Sequence, residues 1–142
     1  MDMYDSLDVA RAAISLAISP NREEEEKLIK ELADKEIQGV AIDIGGDIIK
    51  ATHLVIERAI FAARKAGIIT KEELAQDGAV AGAAREAQSQ VISKAMGLNG
   101  GGKIAIARSG EHVSVCIFMS VGMMYLNEVV VGLGHRTIYM GA

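Results

Sequence analysis

The segment from residue 103 to 119 constrains the fold more than any other. Lys103-Ile104-Ala105-Ile106-Ala107-Arg108 alternates as a strand, Ser109-Gly110-Glu111 turns the chain, and His112 to Met119 returns. In the returning strand Val113, Val115, Ile117 and Met119 recur with period two and share one face. A further strand is expected from about Glu128 to Ile138, so the later strands form an antiparallel meander. Upstream, Gly39-Val40-Ala41-Ile42-Asp43-Ile44 reads as the first strand, closed by Gly45-Gly46.

Four helices are predicted around these strands. Asp5-Ser6 offers an N-cap for the first, with Val9, Ala13, Leu16 and Ala17 on one face and Ser19-Pro20 as its stop. Asn21 caps the second, with Glu24 as the partner of a capping box, and Leu28, Ile29 and Leu32 give it an apolar stripe. The acidic run Glu23 to Glu26 sits in its first turn as a solvated face, where negative charge suits the dipole. Asp47 opens a third helix that runs to about Ala66 and is ended by Gly67. It is apolar nearly all round, with a polar stripe of Lys50, His53, Glu57 and Arg64. Thr70 with Glu73 caps a fourth helix reaching about Met96, whose inner part carries Ala75, Gly78, Ala79, Gly82, Ala83 and Ala87. Gly78 and Gly82 lie on one helix face, and two interior glycines are best explained by a close-packed neighbour. Asn99 to Gly102 is the most flexible stretch. The expected order is ααβααβββ: a layered α+β domain whose later strands form an antiparallel meander, occupying residues 1–142 as one domain.

Bulk properties set limits on function. A chain of 142 residues can bury roughly two-thirds of its unfolded surface. It is 50% hydrophobic and 24% charged, an ordinary globular balance. A net charge of −4 provides no global field to attract nucleic acid or an anionic membrane. With Cys116 as the sole cysteine, no disulfide closes within the chain, as expected in a reducing compartment. The start Met1-Asp2-Met3-Tyr4-Asp5 lacks the basic region of a signal peptide, and no apolar run approaches the ~18 residues of a membrane span. A cytoplasmic location is the expectation.

Motifs for chemistry are sparse. Asp43-Ile44-Gly45-Gly46-Asp47 is similar to the phosphate-binding opening of sugar-kinase and actin-like ATPases. In those proteins the glycine turn leads into a second strand, and a strand-to-helix turn capped by Asp47 is the favoured reading here. A nucleotide-dependent enzyme using Asp43, Gly45 and Gly46 stays as the less favoured alternative. Asn99-Gly100-Gly101-Gly102 has no helix after it and reads as a loop. His53, His112 and His135 lie on three elements without metal spacing, and Cys116 alternates inside an apolar strand as a buried thiol. Met119, Met123 and Met124 read as packing residues. No catalytic residue, metal site or cofactor is assigned.

Several segments resemble the HutP family of antiterminators of the histidine-utilisation operon. Ile44-Gly45-Gly46, His53-Leu54-Val55-Ile56 and Arg64-Lys65-Ala66-Gly67-Ile68-Ile69 resemble its central helix. Lys103 to Arg108, Val113 to Val115, Ser120-Val121-Gly122 and Gly132-Leu133-Gly134 resemble its tail, so the similarity runs from about residue 35 to 138. The resemblance implies a four-stranded antiparallel sheet with helices on both faces, assembled as a homohexamer. It also implies binding of NAG-type triplets in messenger RNA, switched by histidine and a divalent metal.

At the switch positions this chain departs from the family pattern. The histidine pair that holds metal falls on Gly78 and Gly82, the tail histidine near Glu128, and the effector-gripping arginine at about Ser93, beside Lys94. Glu86 and Ser120-Val121-Gly122 correspond to positions near the RNA-contacting surface. A loop offering amides and a hydroxyl suits single-stranded bases. Arg136 is added as a candidate contact, and a ring of subunits would have to gather Lys103, Arg108 and Arg136 into a basic band. The expectation is therefore a non-catalytic RNA-binding homo-oligomer without the metal and histidine switch. The alternative is a small-molecule sensor or scaffold that does not bind RNA.

Overall fold

The computed structural model describes residues 3–43, 58–70, 102–119, 123–130 and 134–140. Two helices open the chain. α1 spans Met3–Ile18, so Asp5 and Ser6 lie inside its first turns rather than ahead of it. Its end follows the sequence logic. Ser19 Oγ donates to the Ser15 carbonyl at 2.8 Å, and Pro20 allows no further helical hydrogen bond. α2 spans Arg22–Asp34, and the Asn21 side chain accepts from the Glu24 N–H at 2.9 Å as an N-cap should.

α2 ends in a Schellman motif without glycine. The Ile37 N–H bonds the Leu32 carbonyl and the Glu36 N–H bonds that of Ala33, with Glu36 at φ 62. Leu32 and Ile37, the two apolar residues that flank such a motif, enter the same core cluster.

The sheet has five strands in the order β1-β2-β3-β4-β5, all antiparallel neighbours. β1 is Gln38–Asp43, β2 Gly102–Ser109, β3 His112–Met119, β4 Met123–Val130 and β5 Gly134–Met140. The expectation of four strands is thus corrected to five among the described residues. The single last strand expected over 128–138 contains Gly132-Leu133-Gly134. The chain reverses there, and Val130 pairs with Gly134. Met123 and Met124 consequently begin β4. The β2–β3 hairpin turns on Gly110 and Glu111, and positive φ at Gly110 alone meets the demand of a two-residue type II′ turn.

Register sorts the sheet into two apolar faces. Ala105, Ala107, Cys116 and Leu126 face α1, against Val9, Ala10, Ala13, Leu16 and Ala17. Alanines on both sides bring helix and sheet close together. Gly39 extends that principle, because a Cβ there would lie 2.5 Å from Leu16 Cδ1. Gly102 is tighter still: its Cβ would collide with the Phe118 carbonyl oxygen. The last glycine of the expected loop is therefore the first residue of β2.

Ile104, Ile106, Val113, Ile117 and Met119 are buried on the opposite face. On that side residues 58–65 are helical (α3), with Ala59 and Ala63 buried. Gly67, at φ 79, stops α3 as expected, with the Ile68 N–H on the Ala63 carbonyl and the Gly67 N–H on that of Arg64. Arg108 Nη1 donates to the Ile68 carbonyl at 2.9 Å, and Arg58 Nη2 to that of Asp43 at 2.7 Å, tying α3 to β2 and β1. Helices cover both faces, as expected. The rest of the third helix and the fourth, with Gly78 and Gly82, lie outside the described residues.

Candidate functional site

The connection between β3 and β4 is the three residues Ser120-Val121-Gly122. They join Met119 to Met123, which are themselves register partners at the end of the hairpin. This loop lies outside the described residues, as do Glu86, Ser93, Lys94 and His53. Arg136 sits in β5 opposite Glu128 of β4, on the register rows of the α1 face, and His135 sits opposite Val129. The fold therefore brings Arg136 and Glu128 together across two strands.

Of the expected basic band, the two described side chains are spent on the fold. Lys103 is on the α1 face, where its Nζ donates to the Ser19 carbonyl at 2.8 Å and pairs with Glu25. Only 14% of the Lys103 side chain and 15% of the Glu25 side chain are exposed, so this is an interior ion pair joining β2 to the α1–α2 junction. Glu25 is accordingly an exception to the solvated acidic run, in which Glu23, Glu24 and Glu26 are exposed. Arg108 lies on the other face and also donates through Nε to the Gly110 carbonyl at 2.8 Å. Within one chain, Lys103 and Arg108 form no common basic surface.

Other candidates resolve towards structure. Cys116 is fully buried, and desolvation pushes its thiol up to about 12. That removes thiolate chemistry at neutral pH. His112 opens β3 with a buried Nε2 that has no hydrogen-bond partner. Among the described residues no three His, Cys, Asp or Glu side chains gather into a group fit for a metal. Asp43 ends β1 at the surface, and among the described residues β1 pairs with β2. Ile44, Gly45, Gly46 and Asp47 lie outside the described residues.

Two surface features were not singled out by motif. A groove of ≈ 400 Å³ between α1 and α2 has Ala12, Leu28, Leu32 and Ile37 as its floor and Asp8, Arg11, Ser15, Lys35 and Ser109 around its rim. On α3, Phe61 is 64% exposed, between Arg58, Arg64 and Lys65. The spacing of those four residues was the available signal, masked by the apolar character of the surrounding helix.

Comparison with known proteins decides the family. The HutP family model matches residues 9–136, which takes in most of α1, all of α2 and the sheet as far as the start of β5. The chain belongs to the HutP family. HutP proteins are regulatory and non-enzymatic, of the RNA-binding antiterminator type. The match extends well N-terminal of the segments that resemble HutP motifs, since α1 supplies half of the core against the sheet. No curated protein and no solved structure matches the chain. Among the described residues no helix is long and apolar enough to cross a membrane.

Proposed function

We propose that this HutP-family chain is a non-catalytic regulator that binds single-stranded messenger RNA as a homo-oligomer, with an antitermination-type output. The observation that carries the reading is the family match over residues 9–136, spanning all but the last residues of the meander. The contact residues on this reading are Glu86, Ser120, Val121, Gly122 and Arg136. A short connection carrying a serine and a glycine suits splayed single-stranded bases. The assembly is a hexamer or its dimer building block.

The family's metal and histidine switch is absent on this reading. Glycine offers no ligand at residues 78 and 82, and a lone Glu128 leaves any divalent ion short of protein donors. A gel shift with NAG-triplet RNA, run with and without chelator and with and without histidine, tests both parts. Equal retardation in all four lanes is expected. Binding abolished by chelator would show that the switch persists, and no retardation at all would refute the RNA reading.

The second reading is a small-molecule sensor without RNA binding. The observation in its favour is the α1–α2 groove, of a volume suited to a small ligand, with cationic Arg11 and Lys35 above an apolar floor.

A further inference from the structure

We infer that the outer face of α3 is a base-stacking platform for single-stranded RNA, centred on Phe61. The inference rests on the RNA-binding reading above but places a contact on a surface remote in sequence from the Ser120–Gly122 loop.

Phe61 is 64% exposed, the most exposed large hydrophobic residue among the described residues. Arg58, Arg64 and Lys65 stand at i−3, i+3 and i+4 from it, the spacings that put side chains on one helical face. All three are exposed, and residues 58–70 contain no acidic residue. Arg58 is held by its bond to the Asp43 carbonyl at 2.7 Å. The side chains of Arg64 and Lys65 meet no partner among the described residues.

The platform is rigid beneath. Ala59 and Ala63 are 2% and 0% exposed on the inner side of α3, and the Schellman stop at Gly67 and the Arg108 bond to Ile68 fix its C-terminal end. A ring presented on a fixed helix loses little conformational freedom on binding.

Charge selects the occupant. A second copy docked about a two-fold axis at Phe61 would set three cations against the same three, an isologous contact with repulsion built in. Single-stranded RNA supplies what the face lacks, a flat base for the ring and phosphates for the cations around it. It also answers the scarcity of aromatics in a chain with only 4% of them, since a platform needs one placed correctly.

The chain has no tryptophan, so Phe61→Trp installs a single reporter. Titration of that variant with oligouridylate and oligoadenylate should quench its fluorescence to saturation, whereas duplex RNA should not. Phe61→Ala should weaken binding of the same oligonucleotides by about 5- to 150-fold, and Phe61→Tyr should restore it. Arg64→Gln with Lys65→Gln should lower the slope of log affinity against log salt by about 1.4. If the native chain binds RNA while Phe61→Ala binds as well and Phe61→Trp is not quenched, the platform is overturned and the RNA reading stands. If the native chain binds no oligonucleotide, both fall. A change of mass on Phe61→Ala would overturn the platform by making the ring a subunit contact.

Discussion

Among the described residues, Glu36 is the one most at odds with its own backbone. It occupies the left-handed position that closes α2, at φ 62, where an L side chain costs roughly 1–2 kcal/mol and glycine costs nothing. Its side chain is exposed, so nothing is lost in packing. Glu36→Gly should therefore stabilise the fold by about 0.5–1 kcal/mol, part of the relief being offset by the greater freedom of glycine in the unfolded chain. A denaturant midpoint that moves down would refute it. Cys116 makes the opposite kind of statement, through pH. Its thiol is raised from its ordinary 9.0 to about 12 in the folded chain. A raised value means that the stabilisation is complete below about pH 9 and is lost as pH climbs towards 12, because only the unfolded thiol ionises in that window. Each pH unit there removes up to about 1.4 kcal/mol. Denaturant melts at about pH 8 and pH 10 should show that loss in the native chain relative to Cys116→Ala, in which the other titrating groups are the same. Parallel pH profiles for the two would remove the thiol from the account. The buried thiol was legible from alternation in β3. Glu36 was not, because nothing in a glutamate announces a left-handed turn.

At the scale of elements, the sequence was read best where two signals agreed. β3 begins and ends where alternation and the Gly110 turn place it, and Asn21 and Gly67 cap the helices they flank. It was read worst where one signal was outweighed. Gly132-Leu133-Gly134 is a turn signal inside an apolar run, and the run concealed it, so β4 and β5 were merged. The Lys103–Glu25 pair was illegible for another reason: its members lie 78 positions apart, and charge runs in sequence say nothing of what folds over them. That pair is where the helical layer is pinned to β2, and it should behave as an interior ion pair. Lys103→Met alone strands the Glu25 carboxylate and should cost on the order of 3 kcal/mol. Lys103→Met with Glu25→Leu should recover most of that, since an apolar pair of similar volume avoids burying charge. Thermal melts of both singles and the double give the coupling. Additive losses would show that Lys103 and Glu25 act independently.

At the scale of the molecule, the two faces of the sheet carry helices whose outer surfaces differ in chemistry. α3 shows one aromatic ring among cations. α1 shows Leu7 and Ile18, 47% and 49% exposed, with half-buried Ile14 on the same stripe and Arg11 in the gap. The family was legible from short matching strings, and the layered fold from periodicity. The outer apolar stripe of α1 was not, because it is visible only once the inner one has been assigned to the core. The α1 stripe is mirrored about its own centre, between Ala12 and Ala13: Leu7 and Ile18 are equidistant from it, as are Arg11 and Ile14. An antiparallel copy would set Leu7 against its partner's Ile18 twice over, the self-complementarity that a two-fold contact requires. Subunits joined through α1 would leave α3, across the sheet, facing outward for RNA. Light scattering at micromolar concentration should give a multiple of the 15.0 kDa chain mass. Leu7→Glu with Ile18→Glu should reduce that mass without lowering the melting temperature of the subunit fold, because both positions are half in solvent already. A native chain that scatters as a monomer would end the oligomer reading. A double variant that keeps the native mass would move the contact away from α1.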